Sequence, residues 1–309
     1  MIEKVFSISL PVNEKLVIRR NRIEPEIGQE NRGRVSIVTG AHGDELEGQY
    51  VCYELIRRLK GMKQKLRGTV DIYPAINPLG MDMGSRMVPK IDMDLNRMFP
   101  GKKDGTAMER VAAGIIDALV GSEIVIDVHS SDTFVKEIPQ ARLSEEFENL
   151  MLPYAKHLNV DIIWINQNAT VHEASLAYSL CKLGTPALMM EMGLGNRINR
   201  EYGLQIVDGI IHLLHHLELL VDEDVSVNEP PVIRNEDIEF IRAGESGIFL
   251  PSVENDVHVE KGDKLGDIMN PIFGDVLYEV RAENSGRLFT LREHPLAYEG
   301  SVIARIIRD

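Results

Sequence analysis

The sequence predicts an α/β protein: a mostly parallel mixed sheet covered by helices, followed by a small C-terminal all-β domain of barrel-sandwich type. Three observations carry that expectation. Compact β-branched runs alternate with segments of helical periodicity through most of the chain. Most of these runs are apolar throughout, as strands buried on both faces must be. Near residue 222 the pattern changes to short alternating segments split by turn residues, which is all-β patterning.

The elements follow in order. Residues 5–11 and 16–23 alternate as short strands and fit an edge hairpin. "RVSIVTG" is a compact strand, and "ELEGQYVCYELIRRLKGM" has helical periodicity ending near Gly61. "GTVDIYPAINPLG" is a strand running into a long irregular stretch, after which "AMERVAAGIIDALVG" is a helix and "EIVIDVHSSD" a strand. "SEEFENLMLPYAKHLNV" reads as a helix, "DIIWI" as a strand, "VHEASLAYSLCKLG" as a helix and "TPALMMEMGLG" as a strand. "REYGLQIVDGIIHLLHHLELL" closes the series as a long helix. "VDEDVSVNEPPVIRNED" is acidic, carries a Pro-Pro pair and has the character of a linker. The expected division is therefore residues 1–225 and 232–309.

Composition narrows the function classes. The chain has 309 residues, 44% hydrophobic and 27% charged, enough for a substantial core. Its formal net charge of −14 repels phosphate backbones and anionic lipid, so neither nucleic acid nor membrane is an expected partner. Cys52 and Cys181 are far apart, without metal-type spacing, and read as buried free thiols in a reducing compartment. "MIEKVFSISLPVNEK" lacks the apolar core of a signal peptide, and no later run approaches a membrane span, so the expected location is cytoplasmic.

In open α/β sheets, functional groups gather at the carboxyl ends of strands. Three candidate strands end in unusual polar residues: His42 and Glu45, then His129, then Glu191. A His-x-x-Glu pair with a distant histidine supplies two imidazoles and a carboxylate, a ligand set of catalytic zinc sites that leaves a fourth position for water. Taken alone, "HGDE" is equally readable as cap and turn residues and His129 reads as a structural histidine; their common placement favours a metal. Glu191 is a carboxylate within the apolar run "ALMMEMGLG", where burial is costly without a partner or a task. Beside an activated water it would be a general base, then the acid for a leaving amine; a buried ion pair with Arg197 is the structural alternative.

The irregular stretch "INPLGMDMGSRMVPKIDMDLNRMFPG" (residues 76–101) carries Arg86, Asp94, Asn96 and Arg97. A guanidinium and an amide can clamp a carboxylate, and Asp94 can accept the second ring N–H of a ligand histidine. A solvated charged loop is the bland alternative.

"GAHGDELEG", "NPLG" with Arg86, "DMDLNRMFPG", "VIDVHSSD" and "ALMMEMG" together resemble the succinylglutamate desuccinylase/aspartoacylase family, a branch of the zinc carboxypeptidase-like fold. The resemblance spans roughly residues 36–195. It implies that His42, Glu45 and His129 bind one Zn2+ per chain and that Glu191 is the catalytic glutamate. It further implies that Arg86 polarises the scissile carbonyl, that Asn96 and Arg97 bind the substrate's α-carboxylate, and that Asp94 supports the first zinc histidine. Tyr298, in "HPLAYEG", resembles a tyrosine the family reaches into the site. The implied activity is amide hydrolysis of a small N-acyl amino acid; a metallocarboxypeptidase acting on short peptides is the alternative. Two departures bear on specificity. The spacing from Arg86 to "DLNR" is longer than in the mammalian aspartoacylase branch, and no basic residue stands out to read an aspartate side-chain carboxylate.

His212, His215 and His216 read as a surface or interface group rather than a metal site, because no carboxylate accompanies them at ligand spacing. His157 and His172 read as structural. "VHVEKGDKLGDIMNPIFGDVLYEVRAENSGRLF" resembles the hammerhead of biotinyl and lipoyl carriers, but the expected tip "NPIFGD" has no lysine to carry a cofactor. That region is expected to narrow the site's mouth or to mediate homo-oligomer contacts.

Overall fold

The computed structural model describes residues 1–89, 91–167, 174–223 and 225–309. An edge hairpin, β1 (Ile2–Ser9) and β2 (Lys15–Ile23), leads into β3 (Arg34–Thr39) and α1 (Glu47–Gly61). Then come β4 (Thr69–Tyr73), α2 (Pro78–Met83), α3 (Ala107–Leu119), β5 (Ile124–Ser130) and β6 (Val135–Ser144). The next elements are α4 (Glu148–Ala155), β7 (Ile162–Asn166), α5 (Leu176–Lys182), β8 (Ala187–Gly193) and α6 (Arg200–His216). Beyond residue 216 the described α-helices end. The strands there are β9 (Val232–Arg234), β10 (Ile238–Arg242), β11 (Gly247–Pro251), β12 (Val257–Val259), β13 (Lys264–Asn270), β14 (Asp275–Arg281), β15 (Gly286–Arg292), β16 (Leu296–Ala297) and β17 (Val302–Arg308).

The centre of the large sheet is parallel, in the order β4-β3-β5-β8. Its flanks are antiparallel: β2 joins β4, and β6 joins β8. Strands β3, β4 and β5 are buried along almost their whole length, because helices cover both faces. Helix α1 packs on α6 and α3 on α5. Local chemistry sets the helix starts. Thr106 and Glu109 form a capping box on α3, and the Asn199 side chain accepts from Glu201 and Tyr202 at the start of α6.

The expected boundary between residues 225 and 232 is crossed by hydrogen bonds. Strand β9 pairs in parallel with β7, and β15 pairs antiparallel with the first residues of β6. The large sheet therefore runs on through β15, β17 and β10, and a separate four-stranded sheet has the order β14-β13-β11-β16. Ile138, Ile162, Trp164, Ile233, Ile238 and Phe289 form a small apolar cluster at that junction. The "NPIFGD" tip lies between β13 and β14.

Strand β6 was not expected from the sequence. Its Pro139 and its charged side chains mask a strand that is almost entirely buried. Two of the histidines of α6 gather with His157, whose ring stacks on His216 at 3.7 Å and whose Nδ1 lies 3.2 Å from His212 Nε2. His172 lies outside the described residues.

Both cysteines are buried, and burial pushes their thiols up, to about 12 for Cys52 and about 11 for Cys181. At pH 8 the thiolate fraction is then roughly one in a thousand or less. Native protein should resist a thiol reagent and release both thiols on unfolding. Rapid titration of either in native protein would contradict the packing.

Candidate metal centre and active site

The site forms where β3, β5 and β8 end. The chain leaves β3 through Gly40, whose φ of +69° favours glycine. Gly43 lies so close to α2 that a Cβ there would sit 2.0 Å from the Gly80 carbonyl carbon. The turn is held from outside by Asn77, whose Nδ2 donates to Ala41 O at 3.2 Å while its Oδ1 accepts from Gly80 N. His42 and Glu45 are thereby turned inward and buried. His129 arrives on β5, directly in register with Glu191 on β8.

The ligand atoms of His42, Glu45 and His129 lie within 4.8 Å of one another. Each oxygen of Glu45 faces one imidazole: Oε1 lies 2.6 Å from His42 Nδ1, and Oε2 lies 2.7 Å from His129 Nδ1. The far ring nitrogens face two further carboxylates. His42 Nε2 is 3.0 Å from Asp94 Oδ1, and His129 Nε2 is 3.1 Å from Asp127 Oδ2. Such partners fix the tautomer and raise the basicity of ligand imidazoles. Arg86 Nη1 donates to Glu45 Oε1 at 3.0 Å and approaches Asp94 Oδ2 at 3.5 Å.

This grouping gathers three carboxylates around two imidazoles with a single guanidinium beside them. Burial opposes charge on both histidines, yet the neighbouring Asp94, Asp127 and Glu45 raise the basicity of each. Burial likewise opposes charge on Asp94, but the hydrogen bond to His42 and the charge of Arg86 hold it below the usual carboxylate range. Two imidazole nitrogens, one carboxylate and surplus negative charge fit a divalent cation.

Asp94 also accepts from Asn96 N at 2.8 Å. Asn96 spends its Oδ1 on Leu176 N, at 2.9 Å, and so can offer a ligand only its NH2. Arg97 is exposed and donates to Asn96 O. A cavity of about 440 Å³ is lined by His42, Glu45, His129, Glu191, Arg86, Asn96 and Arg97, joined by residues of β6 and by Arg305 of β17.

Glu191 is paired with Arg142, whose Nη1 lies 3.4 Å from Oε1, rather than with Arg197. Burial pushes its carboxyl up to about 7, Arg142 pulling it down and Glu45 pushing it up. Glu47 and Asp44 stand outside the ligand group. Glu47 opens α1 and is fully buried, both oxygens accepting from Asn199 N at 2.9 Å.

Tyr298 is not brought to the cavity. It is 72% exposed and lies just beyond β16, where the chain turns and Tyr298 O accepts from Ser301 N at 2.9 Å. Four groups escaped the sequence reading: Asp127, Glu137, Arg142 and Arg305. For Asp127 a signal existed, since D-x-H on a strand puts both side chains on one face.

The fold and the site define an α/β protein in which a His-Glu-His group fit to hold a metal ion shares one cavity with a further carboxylate. The chain belongs to the succinylglutamate desuccinylase/aspartoacylase family, whose catalytic domain matches residues 31–217. It is 26% identical over 318 residues to the N-alpha-acetyl-L-2,4-diaminobutyric acid deacetylase of Halomonas elongata, covering 97% of this chain and 90% of that protein. Among solved structures it resembles the product-bound ectoine utilization protein EutE (DoeB) from Ruegeria pomeroyi, with TM-score 0.82 and 21% identity, covering 99% of this chain and 94% of that one. It also resembles a succinylglutamate desuccinylase/aspartoacylase from Rhodobacter sphaeroides, with TM-score 0.81 and 20% identity over 100% and 95% of the two chains. At such identities the two structures speak to the fold.

Asp94→Asn and Asp127→Asn are each expected to weaken divalent-cation binding about 10–100-fold. Competition with a chromophoric chelator measures this. Unchanged affinity in both variants would show that these carboxylates do not support the imidazoles.

Proposed function

We propose that the protein is a zinc-dependent deacylase hydrolysing the amide bond of a small N-acyl amino acid to a carboxylate and a free amino acid. The observation that carries the reading is the carboxylate of Glu45 set between His42 Nδ1 and His129 Nδ1, in a cavity that also holds Glu191. Membership of a family of deacylases supports it, as does the deacetylase relative. Zn2+ held by His42, Glu45 and His129 would supply Lewis acidity, polarising the acyl carbonyl and making water a competent nucleophile near neutral pH.

The chain's own residues divide the remaining work. Arg97 and the NH2 of Asn96 grip the α-carboxylate and set the substrate's orientation. Arg86, beside the ligand group, faces the carbonyl oxygen where negative charge develops. Glu191 takes the proton of the attacking water and returns it to the departing amine. Arg305 comes from the last strand, so the C-terminal strands wall the cavity, which supports a small substrate over a peptide. The two buried thiols fit a reducing, cytoplasmic setting.

Glu191→Gln should retain one Zn2+ per chain and lose about 10²–10⁴ in kcat, assayed on a panel of N-acyl amino acids. Near-wild-type turnover would remove the base assignment. A second expectation concerns pH. Glu191 must be ionised to accept a proton, and burial raises its carboxyl to about 7. The profile of kcat/KM should therefore fall as pH drops through neutrality; a flat acid limb down to pH 5 would contradict this role.

A further inference from the structure

We infer that the cavity accepts substrates with a single carboxylate, the α-carboxylate, and that Glu137 enforces this limit; the inference rests on the deacylase reading above. Four guanidiniums line the described cavity: Arg86, Arg97, Arg142 and Arg305. Arg86 is engaged by Glu45 and Asp94. Arg142 and Arg305 converge on Glu137, a carboxylate 1% exposed on β6. Its Oε2 lies 2.7 Å from Arg142 Nη2, while Oε1 takes Arg305 Nη1 and the hydroxyl of Thr290 at 3.2 Å. The remaining Nη of Arg142 is turned to Glu191.

At this end of the cavity two guanidiniums thus face three carboxylates, Glu137, Glu191 and Asp132, and no positive charge is left over. The cations are also fixed in place. Arg142 and Arg305 lie over Trp164 at 5.3 and 5.6 Å from the ring centre, and Arg305 lies 5.9 Å from that of Phe240. Among the described lining residues, Arg97 is the one guanidinium without a carboxylate partner. A second substrate carboxylate could gain a cation only by displacing Glu137, which would strand a buried charge. The acyl group must therefore be uncharged, and the amino-acid side chain neutral or cationic. The basic residues that would read a dicarboxylate are present, but Glu137 already occupies them.

The test is a set of matched substrates on the zinc-loaded enzyme: N-acetylasparagine against N-acetylaspartate, and N-acetylalanine against N-succinylalanine. The expected kcat/KM favours the monocarboxylate member of each pair by at least about 100-fold. Glu137→Gln, which frees both guanidiniums, should narrow that ratio about tenfold or more, chiefly through a lower KM for the dicarboxylates. A merely structural role would impair both members alike, and that result would overturn the assignment to Glu137. Should the variant fail to fold, inhibition of the wild-type enzyme decides: succinate should bind no better than acetate, and tighter succinate binding would overturn the inference. Dicarboxylates cleaved as well as their partners would sink it while leaving the deacylase reading intact. A panel with no cleaved member would instead overturn that reading, and this inference with it.

Discussion

The carboxylate of Glu45, shared between two imidazole Nδ1 atoms, is the contact on which the rest of the site depends. A carboxylate buried this deeply is tolerable only when both oxygens are engaged. That requirement fixes three separate elements against one another. The exit from β3 must deliver His42 and Glu45 within four residues, so the backbone needs the left-handed turn at Gly40 and the close approach of Gly43 to α2. Strand β5 must then end at the level that presents His129. The parallel register of β3, β5 and β8 meets that demand, with Thr39 opposite Val128 and His129 opposite Glu191.

The same cavity joins the two ends of the chain. Strand β6 is the splice: its first residues pair with β15, its last with β7, and its other edge lies along β8. One face of it sends Glu137 toward Arg142 on the same strand and toward Arg305 on β17. The final strand of the protein is therefore tied to the residue carrying the proposed base through Glu137 and Arg142. Strands that look like an appendage in the sequence are electrostatically part of the site.

The α/β core, the helices and the ligand group were legible in the sequence because each is written locally. Apolar runs mark strands buried on both faces, and "HGDE" places two donors on one short turn. What was illegible is what the sheet alone brings together. Glu137 and Arg142 sit in a stretch interrupted by Pro139, where charge argues against a buried strand, yet each charge is neutralised by a partner from another element. Arg305, in "VIARIIR", looks like an outward residue of an alternating strand; only the joining of β17 to β15, and of β15 to β6, turns it toward the cavity. Tyr298 shows the converse, since a short motif cannot say that the chain turns outward just past β16.

Electrostatics divides the cavity into two halves with different tasks. Around His42 and His129 three carboxylates outnumber the one guanidinium, a surplus that suits a cation. Around Glu191 two guanidiniums stand among the carboxylates of Glu137 and Asp132, and there burial dominates and lifts the Glu191 carboxyl toward neutrality, while Arg142 limits the rise. A base must be ionised at working pH yet still hold a proton well enough to deliver it. Burial alone would leave Glu191 protonated, and a free guanidinium alone would leave it too weak. Glu137 moderates the guanidinium by drawing on Arg142 itself, so the group proposed to shut out a second carboxylate also tempers the pull of Arg142 on the proposed base.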